Sequence, residues 1–114
     1  MKNTKIEKVA NKLVIAFLTN KTINPIPVKY TKSMKKAEKL RQLCESKVNQ
    51  PIIGFKAAGT SIPVLKKLGE KEPFYASIFK SNVLRSGKSI RVNSYTLGIE
   101  LEVGYLIKKS FFQS

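Results

Sequence analysis

A mixed α+β fold, with two N-terminal amphipathic helices followed by β-strands, is predicted for this 114-residue chain by three observations. Apolar residues recur twice at helical spacing before Gln50, β-branched and aromatic residues cluster in Ile52–Ala58, and an alternating stretch runs from Leu97 to Ile107. With 42% apolar residues the chain supports one modest core rather than two. Within that single core, 1–50 reads as a helical segment and 51–114 as a β-rich one.

The first helix is marked by Thr4-Lys5-Ile6-Glu7, the spacing of a capping box, and by the stripe Ile6, Val9, Ala10, Leu13, Val14, Phe17 and Leu18. Asn24-Pro25-Ile26-Pro27 bars its continuation, because proline has no amide hydrogen and fixes φ. A second helix is predicted from about Ser33 to Val48, with Leu40, Cys44 and Val48 inward and Lys35, Lys36, Lys39 and Lys47 outward. Pro51 closes it, and the strand Ile52–Ala58 follows.

Gly59-Thr60-Ser61 is then a turn, with Ser61 a candidate N-cap, Pro63 in the first helical turn and Leu68-Gly69 the stop. Phe74–Phe79 is apolar without a clear period and fits strand or helix. Ser89–Val92 alternates briefly after the turn signal Ser86-Gly87. In Leu97–Ile107, Ile99, Leu101, Val103 and Tyr105 fall on one face and Glu100, Glu102 and Gly104 on the other, which predicts a strand.

The net charge of +15 makes a polyanion the first partner to consider. The cations are scattered, however: nineteen are Lys in runs no longer than a pair, and only three are Arg, the residue suited to bidentate phosphate and base contacts. No nucleic-acid partner is expected, and a basic nucleic-acid-binding module stays as the alternative from another functional class. Cys44 is the single cysteine, which excludes an intrachain disulfide and fits a reducing, cytoplasmic setting. The absence of His excludes a Cys-His pair. Leu13–Leu18 is far shorter than the roughly 20 residues of a membrane span, so no membrane partner is expected.

Residues two apart on a strand share a face, so Glu100 and Glu102 could converge on one hard cation such as Mg²⁺ or Mn²⁺. The same spacing also fits two exposed glutamates on a solvated strand face. Lys56 and the hydroxyls of Thr60 and Ser61 each have an ordinary reading too, as a solvent-facing cation and as turn and cap residues.

The order of the pieces adds to this. Gly54-Phe55-Lys56-Ala57-Ala58-Gly59-Thr60-Ser61, then Leu68-Gly69, Glu72-Pro73-Phe74-Tyr75 and Gly98-Ile99-Glu100-Leu101-Glu102-Val103, resembles the 2-keto-4-pentenoate hydratase family of the fumarylacetoacetase-like superfamily. The resemblance implies an incomplete fumarylacetoacetase-like fold, in which 51–114 is the truncated start of the β-rich catalytic domain and the chain an N-terminal fragment. It implies a lyase that adds water to a short unsaturated 2-oxo acid, assisted by Mg²⁺ or Mn²⁺ as Lewis acid, and a homo-oligomer when full length. By the same resemblance Glu100 and Glu102 are metal ligands, with a third beyond Ser114. Lys56 is catalytic, meeting the substrate carboxylate or enolate oxygen, and Thr60 and Ser61 border the substrate. Two departures stand out. Gly59 falls one place later than the family glycine, and Phe74 replaces an acid common in hydratases, which leaves a 2-oxo-acid decarboxylase open as the alternative.

Overall fold

Residues 4–108 are described in the computed structural model, in two units that part between Leu84 and Arg85. The end of the expected 51–114 segment, from Lys109 onward, lies outside the described residues. The fold is mixed α+β, with three α-helices, two short 3₁₀ turns and one two-stranded antiparallel sheet among the described residues.

Helix α1 (Lys5–Thr19) starts at the expected capping box. The Thr4 N–H donates to Glu7 Oε2 at 2.6 Å and the Glu7 N–H donates to Thr4 Oγ1 at 3.4 Å, so two amides without intrahelical partners are satisfied. It stops at Asn20, whose left-handed backbone (φ 50°) turns the chain out of the helix. Helix α2 (Met34–Val48) begins where Ser33 Oγ accepts from the Lys36 N–H at 3.4 Å and ends at Asn49, also left-handed. The two helices pack on each other, and Cys44 Sγ lies 3.9 Å from the Ala10 carbonyl oxygen. Lys35, Lys36 and Lys39 are exposed as expected, while Lys47 is half-buried rather than fully outside.

Strand β1 (Ile52–Ala58) pairs antiparallel with β2 (Phe74–Phe79), and helix α3 (Ile62–Leu68) lies in their connection. The ambiguous apolar run 74–79 is thus a strand, fixed by its ladder with β1. Its last residue, Phe79, joins Val14 of α1 and Val48 of α2 in the core, with its ring centroid 5.7 Å from that of Phe17. Only Ala10, Val14, Leu40, Val48 and Phe79 are buried apolar side chains among the described residues, a thin core for a small unit.

Arg41 on α2 ties the helix to the sheet. Its Nε donates to Glu38 Oε2 at 2.9 Å, its remaining nitrogens reach Glu38 and Glu45, and its guanidinium lies 4.8 Å from the Tyr75 ring centroid. The Tyr75 ring in turn meets Phe55 edge-on at 5.4 Å. The Arg41 hydrogen bond holds the Glu38 carboxyl below its ordinary range, and the backbone and side-chain hydrogen bonds of Thr4 do the same for Glu7. A native pKa below the unfolded value gives stability that is complete above the unfolded value, about 4.3, and lost as pH falls through the native one. Urea midpoints should therefore fall as pH drops below about 4.3, and the Thr4→Ala/Arg41→Met double variant should show a shallower fall.

In the second unit, turns at Ser86-Gly87 and Ser94-Tyr95 are flanked by described residues without regular structure, with the Lys88 N–H donating to the Arg85 carbonyl at 3.2 Å and the Tyr95 N–H to Asn93 Oδ1 at 2.9 Å. The strand expected over Leu97–Ile107 does not form, nor does one at Ser89–Val92. Alternation specifies which side chains would share a face, but a strand exists only when a second backbone accepts its hydrogen bonds. The described sheet is complete with β1 and β2.

Candidate functional site

Lys56 sits in the middle of β1, opposite Ala76 of β2 and exposed. Alternation divides the sheet into two faces. Phe55, Tyr75, Ser77 and Phe79 occupy the face turned to α1 and α2, and Lys56 shares the other with Gly54, Ala58, Phe74 and Ile78. Lys56 and Arg41 are therefore associated with opposite faces. A Cβ at Gly54 would sit 3.9 Å from Ile78 Cδ1, an ordinary contact, so packing does not dictate that glycine.

Gly59 is different. It is buried with φ +67°, and a Cβ there would come within 3.0 Å of Leu65 Cδ2 and 3.3 Å of Phe74 Cε1. The turn after β1 can bend this tightly only with glycine in it, and it delivers Thr60 and Ser61, both exposed, to the start of α3. Ser61 is the N-cap, as expected, with Pro63 in the first turn and Gly69 closing the helix in the left-handed region. The Leu65 N–H donates to the Ser61 carbonyl at 3.0 Å, whereas the Ser61 hydroxyl makes no capping bond. Lys56, Thr60 and Ser61 thus lie on one continuous strand–turn–helix element.

Glu100 and Glu102 lie in the second unit, both exposed, on backbone without regular structure. The strand geometry that would have placed both on one face is absent there. Carboxylate oxygens are the right donors for Mg²⁺ or Mn²⁺. Among the described residues no three His, Cys, Asp or Glu side chains gather closely enough to hold a metal ion.

Sequence reasoning did not single out Arg41. Its signal was visible as Glu38-x-x-Arg41-x-x-x-Glu45, which puts two carboxylates on the same helix face as one guanidinium. Cys44, expected inside, is half-buried against the Val14, Val48 and Phe79 cluster, and burial pushes its thiol pKa up, the opposite of an activated nucleophile. No helix among the described residues is long and apolar enough to cross a membrane.

The chain matches no family model, no curated protein and no solved structure.

Proposed function

We propose that the chain carries part of the substrate end of a 2-keto-4-pentenoate hydratase-like lyase, working in the cytoplasm on a short unsaturated 2-oxo acid. The observation that supports this reading is the strand–turn–helix element, in which Lys56 precedes a glycine-dependent turn that presents Thr60 and Ser61. In the hydration, the hydroxyl of water adds at C4 of the conjugated 2-oxo acid and a proton at C3. Lys56 offsets the negative charge of the substrate carboxylate or of the enolate oxygen, and the two hydroxyls orient the acid by hydrogen bonds. The family's Mg²⁺ or Mn²⁺ would require a further ligand beside Glu100 and Glu102.

A second reading, decarboxylation of a 2-oxo acid, is favoured by Phe74. Its half-buried ring lies against the Gly59 turn, so the place of the hydratase acid holds no proton-transfer group. Loss of CO₂ from a second carboxylate, β or vinylogous to the 2-oxo group, leaves the electron pair on an enolate or dienolate, which Lys56 could stabilise in the same way, and needs no activated water.

The test is a titration of the 114-residue chain with 2-oxopentanoate, a non-reacting short 2-oxo acid, followed by amide chemical shifts. Shifts should concentrate on 56–61, and Lys56→Met should weaken binding about tenfold or more, the effect of losing one hydrogen bond to a charged group. Lys36→Met on α2 should leave it unchanged. Equal weakening by both variants would reduce Lys56 to one cation among many. Nanomolar, sequence-selective binding of duplex DNA at physiological salt would replace the lyase reading with a nucleic-acid one.

A further inference from the structure

A half-open cavity of about 630 Å³ lies in the first unit between helix α1 and the chain that follows it. Val9 and Lys12 of α1 form one wall, and residues 22–27 form the other. The lining is mostly aliphatic, with Ile23, Ile26 and two prolines beside Val9, and its polar side chains are those of Lys12, Thr22 and Asn24. Small-molecule sites commonly occupy roughly 300–1,000 Å³ and combine apolar walls with a few polar groups in this way. We propose that the cavity binds a monocarboxylate with an apolar tail of medium length, its carboxylate against Lys12 and its tail against Val9, Ile23 and Ile26.

The sign of the ligand's charge follows from the surroundings of Lys12. No carboxylate lines the cavity. Of the glutamates on the two long helices, Glu7 is held by Thr4, and Glu38 and Glu45 by Arg41, so Lys12 has no ion pair among the described residues. A ligand carboxylate supplies the counter-charge, and the Thr22 hydroxyl and the Asn24 amide N–H are donors for its second oxygen. A phosphate monoester carries about two charges and calls for more cations than this cavity has. The tail follows from the walls, since each methylene taken out of water against aliphatic side chains strengthens binding.

The second wall is pinned at both ends. The Lys21 N–H donates to the Ala16 carbonyl at 2.9 Å where the segment leaves α1, and the Tyr30 N–H donates to the Pro27 carbonyl at 3.1 Å at its far end. Between them Pro25 and Pro27 fix φ, so little ordering entropy is lost when a ligand enters. This site stands independently of the lyase reading, because it uses none of Lys56, Thr60 or Ser61.

The test is a titration of the 114-residue chain with butanoate, hexanoate and octanoate, below micelle-forming concentrations, followed by amide chemical shifts. Shifts should fall on residues 9–12 and the non-proline amides of 22–26, apart from the 56–61 response expected with 2-oxopentanoate. Affinity should rise roughly fourfold or more with each two methylenes added. Octylammonium, the same tail with the opposite charge, should bind about tenfold more weakly. Lys12→Met should weaken all three acids by about three- to fivefold, the range of an exposed ion pair. Lys8→Met, on the same helix but outside the cavity lining, should leave them unchanged. Ile23→Ser should weaken octanoate and spare butanoate, separating the tail contact from the charge contact. Lys12 and Ile23 are both exposed, so neither substitution opens the core. Equal weakening by Lys8→Met and Lys12→Met, octylammonium binding as tightly as octanoate, or octanoate shifts confined to 97–107 would each overturn the proposal. Shifts produced by vesicles of anionic lipid but not by monomeric octanoate would also overturn it, making this face a membrane contact instead.

Discussion

Phe79→Ala is expected to remove a large part of the first unit's stability. Phe79 is one of five buried apolar side chains among the described residues, and it joins β2 to both Val14 of α1 and Val48 of α2 while its ring meets Phe17. Truncating a buried phenylalanine costs about 3–5 kcal/mol, from lost transfer free energy and from the cavity left behind. Small domains have about 5–15 kcal/mol in all, and this core is thin. Urea denaturation followed by far-ultraviolet circular dichroism should show the midpoint collapse, whereas Phe79→Leu, which retains most of the volume, should cost less than about 1.5 kcal/mol. A loss below about 1 kcal/mol for the alanine variant, far under the usual range for such truncations, would mean that the three elements are not held together at this point.

Gly59→Ala should come second in size and should bear on the candidate site directly. The left-handed backbone costs a residue with a Cβ about 1–2 kcal/mol, and the added methyl, 3.0 Å from Leu65 Cδ2 and 3.3 Å from Phe74 Cε1, meets two packed side chains. Overpacking of this kind costs a further ~1–3 kcal/mol. Gly69 provides the internal comparison. Its φ is +71°, but a Cβ there would have nothing within 4 Å, so Gly69→Ala should show the backbone cost alone. The difference between the two variants in urea denaturation isolates the packing around the turn that carries Thr60 and Ser61. Equal losses would show that Leu65 and Phe74 yield freely.

What was legible in the sequence was local. Thr4 with Glu7, Ser33, and Ser61 with Pro63 and Gly69 act within one helical turn, and each marks a helix end where it was read. Ile52–Ala58 is a strand as its β-branched and aromatic residues indicate. Phe74–Phe79 could not be resolved from its own residues, because a short apolar run has no period, and its pairing with β1 decides it. Leu97–Ile107 shows the opposite limit. A clean alternation was present, but the partner backbone that makes a strand is a tertiary fact.

The candidate site divides in the same way. Lys56, Thr60 and Ser61 were readable together because six residues of chain connect them. Glu100 and Glu102 belong to a separate unit, and their relation to Lys56 was never a local property. The demand for glycine at 59 was invisible for a related reason: it comes from Leu65 and Phe74, which only folding brings to the turn.

The position of Phe79 also sets an order of events. Helices α1 and α2 pack as sequence neighbours, and β1 and β2 close across the single connection that holds α3. Both pieces can assemble early, since short loops close at small entropic cost. Contact between Val14 and Phe79 must instead bridge almost the whole first unit. The encounter of the helical pair with the β1–α3–β2 piece is then expected as the late step, with the Phe79 interactions forming after the transition state. In a chevron, Phe79→Ala should steepen the loss through faster unfolding and leave the refolding limb nearly in place, so the residue that most stabilises this unit is a brake on its unfolding and not its nucleus.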